Sequence, residues 1–280
     1  MGPVDQQQER WSPWPAPVAA VGTPAGWYDD PHRRAELRWW DGGTWTDHEH
    51  GAAAGPVPLR GALAGVAVLV VVRGMVELAL GSLRDDVVPV WLLAVGFYIV
   101  VFGSMVVAAR RGLDLAGQSW RWVRRQVRAV DIGWGVVVWL SVMAAAVAAV
   151  SVIQGVGLPF RSNGDVVRDY RERYLPLFIV TSIAAVIVAP IVEEVFFRGL
   201  LLRGLLSRLP AWAAVVVQGL LFGLYHIIPG YGRANLGLVL VLSAYGVVFG
   251  GWVRHFGRLG PTIVGHAVTN GVVVLIALAH

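Results

Sequence analysis

The chain has 280 residues, of which 56% are hydrophobic, and its mean hydropathy is +0.61. A chain this apolar is not a soluble domain with a charged surface, so the composition predicts a polytopic membrane protein. Cysteine is absent, which excludes disulfides and Cys-ligated metal sites. The net charge of +5 comes from arginines clustered beside apolar runs, which indicates membrane topology rather than nucleic-acid binding.

The first 58 residues are polar and divide into three parts. Residues 1–22 are rich in Gln, Pro and Ala and are predicted to be disordered. Residues 23–50 carry four tryptophans among turn signals, and ELRWW, DGG and TWTDH predict two strands joined by a turn. We therefore predict a small Trp-rich β module at 23–50, followed by an Ala/Gly/Pro linker at 51–58.

Seven apolar runs follow the linker, and each approaches or exceeds the roughly 20 residues that cross a bilayer as a helix. The runs are 60–81, 88–109, 131–155, 175–206, 211–228, 235–253 and 261–279. They lack the alternation of strands, and backbone groups in lipid must be satisfied within the segment, so we predict helices. The expected fold is an all-α polytopic membrane protein, a bundle of about seven to eight transmembrane helices at 59–280, preceded by the β-rich module.

Arginine positions predict the orientation in the membrane. The loop after the second run holds six arginines between positions 110 and 128, which places this loop and the N-terminus in the cytoplasm. The loop at 82–87, with two aspartates, then lies outside. The loop at 156–174 falls outside too although it holds four arginines, so its side stays open and we expect an interfacial helix there. The predicted location is a bacterial plasma membrane, crossed several times.

Ionisable groups inside membrane spans cost roughly 2.5–3.5 kcal/mol each, and they usually face a protein interior or a water-filled cavity. In the fourth run, Glu193 and Glu194 are followed by Arg198. Glu194 and Arg198 stand four apart, so they can pair on one face of a helix, while Glu193 points about 100° away. The alternative is that both glutamates mark a solvated end of the span.

Two further polar groups occur in the later runs. Phe222 and His226 lie near the end of the fifth run, where a lone His is as often a satisfied core residue as a catalyst. His266 and Asn270, at i and i+4, share a helix face and can donate hydrogen bonds to one point in space. Helix–helix hydrogen bonding is the alternative for this pair. Asn235 lies in a loop, where solvation explains it.

The three apolar helices together carry the polar groups that a hydrolytic site needs: a carboxylate, two histidines and an asparagine. A Glu with a His can deprotonate water as a general base, and a second His with an Asn can bind the oxyanion. The same set, Glu193, His226 and His266, could instead bind a divalent metal such as zinc that activates the water. No HExxH motif is present, so the usual zinc-protease helix is absent and the cofactor stays open.

The depths of these residues predict whether they can meet. Counted from the turn near Leu209, Glu193 and His226 both lie about 25 Å along their helices, at 1.5 Å per residue. His266 lies nearer the cytoplasmic end, so the site closes only if helices are bent, tilted or short, and we expect a break in the Gly-rich stretch 229–237. We predict convergence all the same, with His266 within about 10 Å of Glu193.

The motifs EEVFFR at 193–198, FGLYH at 222–226 and HAVTN at 266–270 resemble the CAAX protease and bacteriocin-processing family (CPBP, or Abi) of intramembrane endopeptidases. The resemblance covers roughly residues 175–280, the expected protease core. It implies hydrolysis of a peptide bond within or near the membrane, by a glutamate protease or a metalloprotease.

The resemblance also implies a role for each matching residue. The residues implied to be catalytic are Glu193, His226, His266 and Asn270, and the supporting residues are Glu194, Arg198 and Phe222. The first glutamate and the first histidine would act on water, and the second histidine and the asparagine would stabilise the oxyanion. The second glutamate and the arginine would form a supporting ion pair.

The segment PAGWY…LRWWDGGTWT resembles a short Trp-rich module of unknown function found ahead of membrane segments in actinobacterial proteins. Its aromatic residues favour binding of a cytoplasmic partner, which is a protein, a lipid headgroup or the substrate. A passive folded cap is the alternative for this module.

Three classes of function compete for the whole chain. The favoured function is an intramembrane endopeptidase with peptide or protein substrates, membrane lipids as partners and no nucleic acid. The alternative is a non-catalytic membrane protein that acts as a bacteriocin-immunity or scaffold partner. A proton-coupled transporter is disfavoured because the seven runs show no internal repeat.

Overall fold

The computed structural model of the protein describes residues 22–30, 35–52, 59–67, 69, 71, 90–115, 120–173 and 175–279. Nearly all of the predicted disordered segment, positions 53–58 of the linker and most of the first apolar run lie outside these residues. Within them the chain is mostly helical, with a small three-stranded sheet near the N-terminus. This architecture confirms a helical membrane protein preceded by a β-rich module.

The N-terminal module is an antiparallel sheet in the order β1-β2-β3, with strands β1 (Gly26–Asp29), β2 (Ala35–Trp40) and β3 (Trp45–Ala52). Strands β2 and β3 form the predicted hairpin. Strand β1 had not been predicted, because four residues are too few to show a clear alternation. Strand β3 runs two residues past the predicted end of the module, since Ala52 pairs with Ala35 at the start of β2.

Asp41 organises the turn between β2 and β3. Its Oδ1 accepts hydrogen bonds from the backbone N–H of Gly43 at 2.7 Å and of Thr44 at 2.6 Å. These backbone donors, Thr44 first, hold the pKa of Asp41 below its ordinary value of 3.8.

We expect Asp41→Ala to loosen this hairpin near neutral pH. The folded state lowers the pKa of Asp41, so its stabilising effect is present above 3.8 and is lost as the pH falls through the folded pKa. Hydrogen exchange at the amides of Gly43 and Thr44 measures the change. Exchange should be faster in Asp41→Ala and unchanged in the control Asp47→Ala, whose carboxylate is fully exposed. Equal exchange in both variants would contradict the prediction.

Within the described residues, the membrane domain contains helices α1 to α9 in chain order. Their bounds are 59–67 for α1, Val90–Leu115 for α2, Trp120–Arg125 for α3, Asp131–Gly155 for α4, Gly164–Arg173 for α5, 175–206 for α6, Ala211–Tyr225 for α7, Asn235–Phe256 for α8 and Gly260–Ala279 for α9. A 3-10 turn at Pro229–Ala234 joins α7 to α8. Helix α5 lies in the loop where an interfacial helix was expected, and its position at the interface stays a prediction.

Helix α6 is one continuous helix that contains two π-helical segments, in which the turns are wider than in an α-helix. Its segments are Leu175–Ile183, Ala184–Val188, Ala189–Glu193, Glu194–Leu202 and Arg203–Leu206, of which the second and fourth have i→i+5 hydrogen bonds. Wide turns of this kind are rare and are often found at functional sites. They change the rotation of the side chains that follow, so the sequence spacing alone does not say which way Glu193 points.

Four helices of the described residues are long and apolar enough to cross a membrane: Asp131–Gly155, Phe178–Leu206, Gly230–Phe256 and Gly260–Ala279. Helix α7 has only 15 residues. It ends at Tyr225, before the end of the predicted run at 228 and before the predicted break at 229–237. Outward side chains are apolar, as lipid contact requires; Ile132 and Val147 are 70% and 68% exposed. The total of seven to eight spans stays a prediction.

Glycines allow α7 and α8 to pack closely and antiparallel. A Cβ on Gly246 of α8 would lie 2.6 Å from the Cα of Gly219 on α7, and a Cβ on Gly223 would lie 2.5 Å from the Val239 carbonyl. Small residues let helix backbones approach in this way in membranes. The contact positions the end of α7, where His226 stands.

We expect Gly246→Ala to destabilise the fold by about 1–3 kcal/mol, because the added methyl has no space. Gly251→Ala is the matched control on the same helix, since a Cβ there meets nothing within 4 Å. Thermal unfolding in detergent compares the two variants. If both were as stable as the wild type, the close packing of α7 on α8 would not be a source of stability.

Candidate active site

Three ionisable side chains from three helices face one another: Glu193 from α6, His226 from the end of α7 and His266 from α9. The Oε2 atom of Glu193 lies 3.9 Å from Nε2 of His226 and 3.8 Å from Nε2 of His266. His266 therefore lies well inside the limit of about 10 Å, and the predicted convergence is confirmed. Glu193 is only 5% exposed, so it does not mark a solvated end of the span.

The end of α7 orients His226. Its Nδ1 lies 2.7 Å from the carbonyl oxygen of Phe222, one turn earlier. A carbonyl only accepts, so Nδ1 carries a hydrogen, and in the neutral ring Nε2 presents its lone pair toward Glu193.

The loop after His226 is closed by Asn235, whose side chain accepts from Ile228 N at 2.9 Å and donates to Ile228 O at 2.8 Å. Solvation was therefore the wrong explanation for Asn235, which ties the loop to α8.

Glu194 holds two partners at once. Its Oε1 lies 2.9 Å from Nη1 of Arg198 and 3.1 Å from Nδ1 of His266. The first contact confirms the predicted ion pair. The second was not predicted, because it depends on how α9 packs against α6. Glu194 and Arg198 are both 0% exposed, so this network lies entirely inside the protein.

Aromatic rings surround the ion pair and both histidines. The guanidinium of Arg198 lies 4.3 Å from the centre of the Phe222 ring and 5.1 Å from that of Phe249. Phe249 also stacks on His266 at 5.1 Å, and Phe222 lies 4.7 Å from His226. Cation–π contacts of a desolvated guanidinium contribute roughly 2 kcal/mol. The contact of Phe249 with the site could not be predicted from the sequence, because a phenylalanine in an apolar helix carries no distinguishing signal.

Asn270 lies one turn after His266 and lines the same cavity as the three ionisable groups. Its Nδ2 donates a hydrogen bond of 2.7 Å to the carbonyl oxygen of Ala185 on α6. An amide nitrogen carries two hydrogens, so this bond holds the side chain in place with one of them and leaves the other for a different acceptor.

The cavity has a volume of about 270 Å³. Its polar lining includes Glu193, both histidines and Asn270, while most of the remaining wall is aliphatic. The loop before α5 adds Phe160, Ser162 and Asn163 to the wall. Tyr231 fastens this loop by donating a hydrogen bond of 2.8 Å to the Ser162 carbonyl. The space is large enough for a short stretch of peptide beside the polar groups.

Glu193 Oε2 and the Nε2 atom of neutral His226 are both acceptors, so whatever lies between these two atoms must donate hydrogens or be a cation. A water oxygen about 2.8 Å from each of the two atoms fits their separation of 3.9 Å. The ligand atoms of a tetrahedral zinc stand closer, roughly 3.3 Å apart for bonds of about 2.0–2.1 Å. Across the described residues, no three His, Cys, Asp or Glu side chains form a group with metal-site spacing. The arrangement therefore fits a water better than a zinc ion.

Comparison with known families agrees with the motifs. Residues 175–272 match the family described as Type II CAAX prenyl endopeptidase Rce1-like. Residues 25–58 match a protein family of unknown function, DUF2510. Searches among the curated proteins and the solved structures found no significant match. The chain thus carries an Rce1-like domain behind a DUF2510 domain, and both resemblances inferred from the sequence are confirmed.

Proposed function

We propose that this protein is an intramembrane endopeptidase of the CAAX-protease type, which hydrolyses peptide bonds of membrane-associated substrates. One observation carries the proposal: Glu193 Oε2 faces the Nε2 atoms of His226 and His266 at 3.8–3.9 Å in a cavity enclosed by apolar helices. The Rce1-like family supports protease activity in general.

The first step is the activation of water by Glu193 and His226. A water between them donates one hydrogen to the Glu193 carboxylate and the other to the His226 ring. As the water oxygen attacks the carbonyl carbon of the substrate, its proton passes to Glu193, which is general base catalysis. The protonated carboxyl then supplies a proton to the amide nitrogen, the C–N bond breaks, and an amine and a carboxylic acid leave.

The second element is the binding of the oxyanion by His266 and Asn270. His266 donates through Nδ1 to Glu194, so it donates from Nε2 to substrate only as the doubly protonated imidazolium. The contact with Glu194 fixes the orientation of the ring, and Arg198 in turn holds the Glu194 carboxylate in place. The free N–H of Asn270 gives the second donor. Donors already in place cost no reorganisation when the negative charge develops.

The cavity favours an apolar substrate segment. Its walls beyond the polar groups are formed by side chains such as Val150, Val241 and Val274. An extended peptide with small or aliphatic side chains can lie along these walls and keep its scissile carbonyl near Glu193. We expect peptide or protein substrates that reach the cavity from the membrane.

The remaining sequence predictions belong to the same proposal. Seven to eight spans, a cytoplasmic N-terminus and a bacterial plasma membrane follow from the apolar runs and the arginine distribution. The module at 23–50 and the linker at 51–58 would hold a cytoplasmic partner near the protease core at 175–280. Trp27, 45% exposed beside Trp39, is a contact point for that partner.

Cleavage of a quenched peptide library by detergent-purified protein tests the proposal. The reaction is run in water enriched in oxygen-18, and mass spectrometry of the products should find the heavy oxygen in the new carboxylate. Glu193→Gln, purified in the same way, is the control for contaminating proteases. Cleavage that disappears in the variant but survives a chelator indicates a glutamate protease. Cleavage lost to chelator and restored by zinc indicates a metalloprotease. Equal cleavage by Glu193→Gln and by a Glu193→Gln, His226→Ala, His266→Ala variant indicates a contaminating protease, whereas cleavage by Glu193→Gln that the triple variant lacks refutes the assigned role of Glu193.

A further inference from the structure

Pro190 stands inside α6, one turn before Glu193, and is buried. A proline in the interior of a helix has no backbone N–H and therefore leaves one carbonyl of the preceding turn without its usual donor. The wide turn Ala184–Val188 directly precedes it.

In the i→i+5 register of the wide turn, the carbonyl that an N–H at position 190 would bond belongs to Ala185. In the wide turn, the N–H of Ala189 donates to the carbonyl of Ala184. Ala185 would be bonded either by the N–H of Ala189, which is already used, or by that of residue 190, which a proline lacks. The helix therefore offers the Ala185 carbonyl no backbone donor at i+4 or i+5 that is not engaged or missing.

Asn270 supplies the donor from another helix. Its Nδ2 lies 2.7 Å from the Ala185 oxygen, a short hydrogen bond between α9 and α6. A backbone carbonyl inside a protein needs a hydrogen-bond donor, so this part-buried bond satisfies the backbone and fixes the amide at the same time. Pro190, Ala185 and Asn270 thus form one linked set.

We propose that Pro190 is a positioning residue. Because proline has no backbone N–H, the Ala185 carbonyl stays available to accept from Asn270. This bond fixes the amide so that its second N–H points at the oxyanion. The catalytic consequence rests on the proposed function, whereas the link between Pro190 and Asn270 does not depend on it. A Pro190→Ala variant restores an N–H that competes with Asn270 for the same oxygen.

Kinetics of Pro190→Ala test the catalytic consequence. We expect kcat to fall roughly ten- to a hundredfold because the donor is misplaced, with KM nearly unchanged since the oxyanion exists only during the reaction. Asn270→Ala should abolish this effect, so that the double variant is no slower than Asn270→Ala alone. Pro261→Ala is the matched control. Pro261 is buried in the first turn of α9, where the missing N–H has no helix partner to lose.

Thermal unfolding of the same four proteins, wild type, both single variants and the double, tests the link without any activity. Asn270→Ala should lower the Tm of the wild type by more than it lowers that of Pro190→Ala, because the restored N–H then satisfies Ala185. Additive changes in Tm would overturn the inference. If the wild type cleaves no peptide, the proposed function fails, and the Tm values still decide the link. Should Pro190→Ala not fold, Pro190→Ser supplies the same N–H for the cycle.

Discussion

Glu193→Gln is expected to lower kcat by roughly 10²–10⁴-fold while the fold stays intact. Glutamine has the same size and keeps the hydrogen-bonding reach of the side chain, but it cannot take a proton from water. The Tm should change little, since glutamine keeps the size of the side chain and can still form hydrogen bonds in the same place. Initial rates on one cleaved peptide, measured under single-turnover conditions, isolate the chemical step.

Two controls sharpen this prediction. Glu172→Gln removes an exposed carboxylate on α5 and should leave the rate unchanged. Glu193→Asp keeps a carboxylate but withdraws it by one methylene, so its rate should fall between those of wild type and Glu193→Gln. A Glu193→Gln enzyme with more than about a tenth of the wild-type rate would exclude Glu193 as the general base.

The same variant separates the endopeptidase from a non-catalytic membrane partner. An immunity or scaffold protein acts by binding, and the loss of one charge at a site that keeps its shape would leave such binding nearly intact. An endopeptidase loses its biological effect together with cleavage. A Glu193→Gln chain that still protects or assembles in cells would therefore favour the non-catalytic alternative.

Arg198→Met is expected to destabilise the protein by about 3–5 kcal/mol, because it leaves the Glu194 carboxylate buried beside His266 alone. Arg198 is completely enclosed and contacts Glu194 at 2.9 Å, so no water can replace its charge. Thermal and denaturant unfolding in detergent measure the loss. Arg208→Met, an exposed arginine just beyond α6, is the matched control and should change stability by less than about 0.5 kcal/mol.

A compensating variant tests the cause of that loss. Glu194→Gln combined with Arg198→Met removes both partners of the ion pair and should recover most of the stability, because Glu194 is then no longer a buried carboxylate without its arginine. Its activity should stay low, since His266 then lacks the carboxylate that accepts from its Nδ1 and orients its ring. A double variant as unstable as Arg198→Met would show that packing of the arginine against Phe222 and Phe249, rather than its charge, is what the protein needs.

Much of the candidate site could be predicted from the sequence, because several of its polar residues stand at short helical spacings. Glu194 with Arg198 and His266 with Asn270 stand at i, i+4, which places each pair on one face of any helix they form. Carboxylates and histidines in apolar runs must also find partners inside the protein, which predicted that they would meet. The contact between Glu194 and His266 links residues 72 positions apart, and no spacing rule reaches that far.

The residues and their spacing are sufficient to predict the helical membrane domain, the β hairpin, the ionisable groups inside the helices and the family of the region at 175–272. Which atoms face one another follows only from how the helices pack. The wide turns of α6 set the rotation of Glu193, the glycine contact of α7 with α8 positions the end that carries His226, and the register of α9 sets His266 between two carboxylates. Hydropathy specifies that a face is buried, whereas rotation and depth depend on the packing of all neighbouring helices at once.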